Sequence, residues 1–216
     1  MNSIDRSTSN ETPEVRVPLE AIKGRGTATA FPHRFAADAR ETFDDGWSRS
    51  EEEEAAIPRT EVIWENARSL ITSNDSPDIH FGRSLNPYRG CEHGCIYCYA
   101  RPTHSYLNLS PGLDFETKIV AKRNLAGVLR RELQRRGYRP ALLALGTATD
   151  CYQPVERELR LTRAVLEVLS EANHPFALVT KSSGVERDLD LIAPMAAKGL
   201  ASVYLTITTL DADLTR

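Results

Sequence analysis

The sequence predicts an α/β fold in which short buried strands alternate with amphipathic helices. The apolar runs 141–145 and 176–180 have the length and composition of buried strands. Residues 122–136 and 156–173 instead repeat apolar side chains at helical spacing. Strands that alternate with helices form βα units, which build a parallel sheet. Functional residues are then expected on the loops that follow the carboxyl ends of the strands.

The first predicted strand is 60–64, and Leu85 leads from there into a loop rich in cysteine. The first predicted helix spans 122–136. Its apolar side chains recur on one face, at Leu125, Val128, Leu129 and Leu133. Gly137 follows as a typical C-terminal stop, and the strand 141–145 comes next.

Two further helix–strand pairs complete the predicted pattern. The helix 156–173 leads into the strand 176–180, and the helix 186–198 leads into the β-branched run 201–208. The chain stops soon after this last strand, so we expect about four strands in the organised part of the chain.

The N-terminal region differs from the rest in composition. Residues 1–58 are predicted to be an N-terminal extension that is largely disordered, with 59–216 as the organised domain. Residues 1–30 are polar and rich in serine and threonine, without helical or strand periodicity. Residues 31–58 carry acidic clusters with a few aromatic residues, which predicts a solvated segment with some side chains packed onto the domain.

The overall composition limits the classes of protein to which the chain can belong. Of its 216 residues, 41% are hydrophobic, and its net charge of −3 gives no general attraction to nucleic acid or membranes. No apolar run approaches the ~18 residues that span a bilayer, and no signal peptide is apparent. Three of the four cysteines are clustered, which favours a metal site in the reducing cytoplasm over a disulfide scaffold.

The cysteine cluster is the most informative motif. Cys91, Cys95 and Cys98 follow one another in a C-x3-C-x2-C pattern. Three thiolates on one loop can bind three irons of a cubane iron–sulfur cluster, which leaves the fourth iron open for chemistry. The alternative is a closed structural zinc site with His93 or His104 as the fourth ligand, although zinc sites more often use C-x2-C pairs that are further apart.

The run from Arg89 to Tyr99 resembles the cluster loop of the radical S-adenosylmethionine (radical SAM) superfamily. The longer stretch from Ser84 to Pro102 is similar to the spore photoproduct lyase-like branch, often labelled "DNA repair photolyase". The resemblance covers roughly residues 60–216. It implies a partial (βα) barrel of the radical SAM type, which usually has six βα units. The chain is then expected to be truncated after about four strands, with an open apolar sheet edge that makes it poorly stable alone.

The resemblance also implies a reaction. Cys91, Cys95 and Cys98 would ligate a 4Fe–4S cluster, and S-adenosylmethionine would chelate the open iron. One electron from the reduced cluster would then cleave the sulfonium to give methionine and a 5′-deoxyadenosyl radical, which abstracts hydrogen from an unknown substrate, as in a lyase. A flavodoxin- or ferredoxin-like electron donor is the expected partner. The competing function is a metal or iron–sulfur protein that binds or senses without catalysis.

Several residues are candidates for binding S-adenosylmethionine. By the resemblance, the backbone at Tyr97 lies against its adenine. The loop after the second barrel strand carries a motif for the amino group in this superfamily, which makes Thr147, Thr149 and Asp150 candidates. The familiar Gly-Gly-Glu form of that motif is absent here. The alternative for Asp150 is capping of a helix N-terminus.

The loop after the next strand and one further cysteine add candidates. Lys181 is suited to pair with the carboxylate of S-adenosylmethionine, and Ser182 to reach its ribose; a solvated lysine is the alternative. Cys151 is the fourth cysteine. A hydrogen-atom donor is one interpretation of it, and a small buried packing residue is the favoured one.

A DNA substrate has limited support in the sequence. The photolyase-like label suggests thymine-dimer lesions, and a basic stretch suited to phosphates comprises Lys122, Arg123, Arg130, Arg131, Arg135, Arg136 and Arg139. Arginines on an outer helix are more often a solvated face, which is the favoured interpretation here.

Overall fold

The computed structural model describes residues 26–27, 35 and 59–211. The predictions for most of 1–58, including its disorder, therefore lie outside the described residues. The strands are β1 (Glu61–Glu65), β2 (Thr72–Ser73), β3 (Arg83–Leu85), β4 (Tyr88–Arg89), β5 (Lys118–Lys122), β6 (Leu143–Leu145), β7 (Phe176–Thr180) and β8 (Ala201–Leu205).

The helices alternate with the later strands. They are α1 (Asp114–Thr117), α2 (Leu125–Leu133), α3 (Glu156–Leu159), α4 (Leu161–Glu171) and α5 (Leu189–Ala197), with 3-10 helices at Arg101–Leu107 and Ser183–Asp188. No helix among the described residues is long and apolar enough to cross a membrane.

The strands are divided between two sheets. The larger sheet has the order β2-β3-β6-β7-β8. Its last four strands are parallel, and β2 pairs antiparallel with β3. The smaller sheet has the order β1-β5-β4, in which β1 is parallel and β4 antiparallel to β5. The predicted α/β class is thus confirmed, and the connections from β6 through α4 and β7 to α5 and β8 are the predicted βα units.

The main core lies where helices α2, α4 and α5 pack on the larger sheet. Its completely buried side chains include Leu85, Leu129, Leu143, Leu145, Leu166, Leu169 and Leu178. These come from the same apolar runs and helix faces that predicted the elements. On the free side of β8, by contrast, Tyr204 and Leu205 are 59% and 60% exposed.

The predicted helix 156–173 is in fact two helices. The helix is interrupted at Arg160, whose φ is +51°, and α4 begins directly after it. The carboxylate of Glu156 accepts a hydrogen bond from the backbone N–H of Thr162 at 3.0 Å, so it satisfies a donor at the start of α4. Arg187 also donates to this carboxylate, at 2.6 Å.

Other predictions differ from the structure. The helix 186–198 begins as a 3-10 helix and becomes α-helical at Leu189, and the last strand, predicted at 201–208, ends at Leu205. The described residues contain eight strands where about four were expected. Strands β2 to β4 were not predicted because they have only two or three residues each, and β5 because its apolar run is short and adjoins the first helix.

Candidate functional site

The cysteine loop is the run from Arg89 to Tyr99. It lines a cleft together with the loops that follow β6 and β7. The cleft encloses about 580 Å³, part of which is open solvent at its mouth. The residues that line it are Cys91, His93, Cys95, Tyr97, Cys98, Tyr99, Gly146, Thr147, Ala148, Thr149, Asp150, Val179, Thr180 and Lys181. The loops after β6 and β7 follow the carboxyl ends of adjacent parallel strands, which is where ligand sites of α/β folds form.

The three cysteines of the motif are free thiols that face this cleft. Cys91 is buried, and its N–H donates to the carbonyl of Phe115 at 2.8 Å. Burial raises the pKa of the Cys91 thiol to about 12, so binding of iron or zinc there must release a proton. Gly90 and Gly94 have φ values of +83° and +62°, left-handed conformations that glycine adopts at low cost. The loop therefore turns sharply on either side of Cys91.

A buried ion pair supports the cysteine loop from behind. Arg101 donates to the carbonyl oxygen of Cys95 through Nη2 at 3.0 Å and Nε at 3.3 Å. The same guanidinium contacts Glu116 Oε1 at 2.5 Å, and the Glu116 side chain is 0% exposed. Arg101 is therefore fixed by a charged partner, and in turn it fixes the backbone of the middle cysteine.

Asn86 organises the loop that follows β6. Its Oδ1 accepts hydrogen bonds from the N–H groups of Ala148 at 3.0 Å and Thr149 at 3.3 Å. Its Nδ2 donates to the hydroxyl of Thr147 at 3.3 Å, and its own carbonyl accepts from Lys122 Nζ at 2.6 Å. The sequence placed Asn86 within the resemblance but gave it no role, because the partners of its side chain are 61 to 63 residues away.

Asp150 lines the cleft, but its carboxylate is occupied by protein donors. Oδ1 accepts from Tyr152 N–H at 2.8 Å and from the Thr180 hydroxyl at 2.6 Å. Oδ2 accepts from Lys181 N–H at 2.7 Å and lies 3.4 Å from His93 Nε2, a long and mainly electrostatic contact. Burial by itself raises the pKa of Asp150, but the contacts with His93, Thr180 and Lys181 outweigh it and hold the pKa below its usual value.

Asp150 therefore connects the cysteine loop to the ends of β6 and β7. A carboxylate offers about four lone-pair sites. Three hydrogen bonds already reach this one, and the ring of His93 lies against Oδ2, so little capacity is left for a ligand ammonium.

The other predicted binding residues divide into two groups. Tyr97, Thr147, Thr149 and Lys181 line the cleft with Asp150, whereas Ser182 does not. The Ser182 hydroxyl accepts from Gly184 N–H at 3.0 Å and caps the 3-10 helix that follows β7. The Thr149 hydroxyl donates to the carbonyl of Tyr88 at 3.2 Å.

Tyr99 joins the cysteine loop to the loop after β6 across the cleft. Its hydroxyl donates to the carbonyl of Thr147, while its ring remains 77% exposed. Tyr97 is also exposed. The mouth of the cleft thus carries aromatic rings on which a planar group could stack.

Cys151 is 0% exposed and belongs to the main core rather than to the lining of the cleft. Burial raises the pKa of its thiol. Its neighbour Gly146 has a φ of +80°, and a Cβ there would lie 2.4 Å from the carbonyl oxygen of Val179. Close packing between β6 and β7 therefore accounts for a glycine at position 146 and a small buried side chain at position 151. This agrees with the favoured interpretation of Cys151 as a packing residue.

The two histidines considered for a zinc site each have a contact with other parts of the protein. His93 Nε2 faces Asp150. His104 Nε2 lies 3.0 Å from the carbonyl of Lys118, to which it must donate because a carbonyl only accepts. Within the part of the chain that the structure describes, no three His, Cys, Asp or Glu side chains converge on a single metal ion. In a cluster each thiolate binds a different iron, so convergence on one point is not required.

The predicted basic stretch is not one continuous surface. Lys122 is buried, and burial lowers its pKa to about 8. Arg123 lies over the ring of Trp64 at 5.2 Å, and Arg130 forms a bidentate pair with Glu171. Three of the seven cations therefore already have protein partners or are buried.

Comparison with known proteins finds relatives whose own functions are uncharacterized. An uncharacterized protein of Mycobacterium tuberculosis is 43% identical over 156 residues, which are 72% of this chain and 45% of that protein. One from Mycobacterium bovis matches to the same extent. An uncharacterized protein of Methanocaldococcus jannaschii is 26% identical over 156 residues, 72% of this chain and 55% of its own length. No protein-family model and no solved structure matches the chain.

The chain thus spans about half the length of these relatives, 45% of the mycobacterial proteins and 55% of the archaeal one.

Proposed function

We propose that this protein is a radical SAM enzyme similar to the spore photoproduct lyase-like branch, with a substrate that is not yet known. The observation that carries the proposal is the shared cleft: three free cysteine thiols in C-x3-C-x2-C spacing and the loops after β6 and β7 line one cavity. When bound, a 4Fe–4S cluster would supply the electron that cleaves S-adenosylmethionine to methionine and a 5′-deoxyadenosyl radical.

The donor set fits such a cluster. Cys91, Cys95 and Cys98 provide thiolates, the ligands that iron–sulfur clusters use. Arg101 holds the backbone of the middle cysteine through two hydrogen bonds to its carbonyl oxygen. Three cysteines at C-x3-C-x2-C spacing on one loop, rather than two separated C-x2-C pairs, favour a cluster over a structural zinc site.

The residues opposite the cysteines suit a zwitterionic, adenine-containing ligand. Lys181 contributes a cation to the cleft, suited to a carboxylate, and Thr147 contributes a hydroxyl and a carbonyl suited to an ammonium. The exposed rings of Tyr97 and Tyr99 offer stacking surfaces for adenine. Asp150, with its oxygens occupied, acts in this proposal by positioning His93 and Lys181 rather than by binding the ligand.

The proposal extends to the finer fold and to the partners. Four adjacent parallel strands, β3, β6, β7 and β8, support a partial (βα) barrel of the radical SAM type. The free thiols are consistent with a protein of the reducing cytoplasm. A flavodoxin- or ferredoxin-like protein would deliver the electron.

The test is metal loading of the purified protein under anaerobic conditions, with iron and sulfide analysis, visible absorption and EPR. We expect a 4Fe–4S cluster whose EPR signal changes when S-adenosylmethionine is added. Cys95→Ala should abolish the cluster, whereas Cys151→Ala, a cysteine outside the cleft, should retain it. Stoichiometric zinc without iron–sulfur absorption would contradict the proposal, and so would a cluster that Cys95→Ala does not affect.

A further inference from the structure

The chain's N-terminal region contacts the cysteine loop at Gly26 and Thr27. The N–H of Gly26 donates to Glu116 Oε2 at 3.0 Å, and the Thr27 hydroxyl donates to Glu116 Oε1 at 3.1 Å. Thr27 Oγ1 also accepts from Arg101 Nη1 at 3.3 Å. These two residues therefore bond to both members of the buried ion pair that lies behind Cys95.

Gly26 also lies directly against the cysteine loop. A Cβ at Gly26 would lie 1.6 Å from the carbonyl oxygen of Gly94 and 2.6 Å from its carbonyl carbon. Both atoms belong to the backbone, so no rotation of a side chain could make room for it. In the reverse direction, a Cβ at Gly94 would meet Gly26 N at 3.0 Å. A side chain at position 26 would therefore force the two backbones apart, and one at position 94 would crowd them.

A second contact comes from the same region of the chain. The ring of Phe35 packs against that of Tyr106 with 5.6 Å between their centroids. Tyr106 belongs to the 3-10 helix Arg101–Leu107, which follows the last cysteine of the motif and carries Arg101. Both contacts therefore involve the segment that holds the cysteine loop in place.

We propose that Gly26 and Thr27 are positioning residues for the cysteine loop, so that this part of the N-terminal region belongs to the cluster site. They complete the hydrogen bonding of Glu116, which orients Arg101, which in turn holds the carbonyl of Cys95. The proposal rests on the proposed function only for the identity of the bound group. The two hydrogen bonds from Arg101 to the carbonyl oxygen of Cys95, which we call the clamp, do not depend on which group is bound.

Gly26 and Thr27 matter to the site because a buried carboxylate is destabilised when it lacks hydrogen-bond donors. The Glu116 side chain is 0% exposed and that of Arg101 is 10% exposed. Without Gly26 N–H and the Thr27 hydroxyl, this carboxylate loses two hydrogen bonds that water cannot replace unless the site opens. The opening would expose Cys91, the buried thiol of the cysteine loop, because its N–H is bonded to the carbonyl of Phe115, the residue next to Glu116.

The first test uses metal-free protein and needs no cluster. Gly26→Ala and Thr27→Val are compared with wild type for the rate at which iodoacetamide alkylates Cys91, followed by peptide mass spectrometry. Loss of one hydrogen bond to a buried charged group shifts a local opening equilibrium by roughly tenfold, so Cys91 should react about tenfold faster in Thr27→Val. Gly26→Ala should react faster still. Thr27→Ser, which keeps the hydroxyl, should restore the wild-type rate.

Two internal controls separate this effect from general unfolding. Gly82→Ala is a matched glycine variant, because a Cβ there meets no atom closer than 3.9 Å, and it should behave as wild type. Cys151 is completely buried and should stay unmodified in every folded variant. Equal Cys91 rates in wild type, Gly26→Ala and Thr27→Val would overturn the proposal. Faster Cys91 alkylation that occurs only together with Cys151 alkylation would overturn it too, because it would indicate global unfolding.

The second test asks whether the clamp retains the cluster. After anaerobic reconstitution, iron loss to a chelator is followed by visible absorption, and the two variants should lose iron severalfold faster than wild type and Gly82→Ala. Equal rates of iron loss would overturn the role in cluster retention. If wild type takes up no iron–sulfur cluster, the proposed function fails, and the clamp is judged by the Cys91 alkylation rates alone.

Discussion

Replacement of Asp150 by asparagine tests whether this residue is a structural tie or a ligand-binding carboxylate. Its two oxygens accept from Tyr152 N–H, the Thr180 hydroxyl and Lys181 N–H at 2.6 to 2.8 Å. In the Asp150→Asn variant one of these oxygens is replaced by an NH₂ donor. In either orientation of the amide, that NH₂ group faces one of the two backbone N–H groups, which loses its acceptor.

The loss can be given a magnitude. A buried donor left without an acceptor costs about 1–3 kcal/mol, and a hydrogen bond to a charged group contributes about 1.5–3 kcal/mol. We therefore expect Asp150→Asn to lower the free energy of unfolding by about 2–3 kcal/mol. The assay is urea unfolding at pH 7, followed by far-UV circular dichroism, with the midpoint and the m-value fitted together.

Asp190→Asn is the matched control. Asp190 is 57% exposed and is bound only at the surface, by Arg163 at 2.7 Å, so its replacement should have little effect. If Asp150→Asn costs no more than Asp190→Asn, the structural role assigned to Asp150 is wrong. Unchanged stability with weaker binding of S-adenosylmethionine would instead make Asp150 a ligand contact.

Two further predictions concern the surrounding fold. Gly127 is the third residue of α2, where a Cβ would be 3.7 Å from Arg131 Nη1. Gly127→Ala should therefore raise the free energy of unfolding by about 0.5 kcal/mol in the same urea assay, the lower end of the range for a helix interior, and a loss of stability would show that the helix cannot accept a methyl group. Burial by itself raises the pKa of Asp188, but hydrogen bonds from Arg187 and Arg163 outweigh it and hold the pKa below its usual value. A carboxyl whose pKa is lower in the folded state stabilises the fold above its unfolded pKa of about 3.9 and loses this effect as pH falls through the folded value. The difference in unfolding free energy between wild type and Asp188→Asn should thus be largest at pH 5 to 7 and should shrink below pH ~4. A difference that grows on acidification would contradict the lowered pKa of Asp188.

The sequence predicted the elements whose signal is local. Strand β7 was predicted at its observed bounds, because a five-residue apolar run after a proline has few alternatives. The apolar faces predicted for α2 and α4 do pack into the main core. The break at Arg160 was missed because it depends on Glu156 and its partner Arg187, which is 31 residues away.

The same distinction applies to the candidate site. The cysteine spacing and the position of loops after strands were sufficient to indicate which segments line the cleft. The supports behind them were not predicted. Asn86 and Ala148 are separated by 62 residues, and Gly26 and Glu116 by 90, and no periodicity connects such pairs. Ser182 was predicted to be a site residue because it follows a strand. Its hydroxyl instead caps the 3-10 helix that comes next.

The most direct test of the central claim is formation of 5′-deoxyadenosine. The protein would be reconstituted anaerobically with iron and sulfide, reduced with dithionite, and incubated with S-adenosylmethionine, and the product measured by chromatography. We predict 5′-deoxyadenosine from wild type and from Cys151→Ala, and none from Cys95→Ala. An intact, reducible cluster that yields no 5′-deoxyadenosine would contradict the account and favour an iron–sulfur protein that senses rather than catalyses.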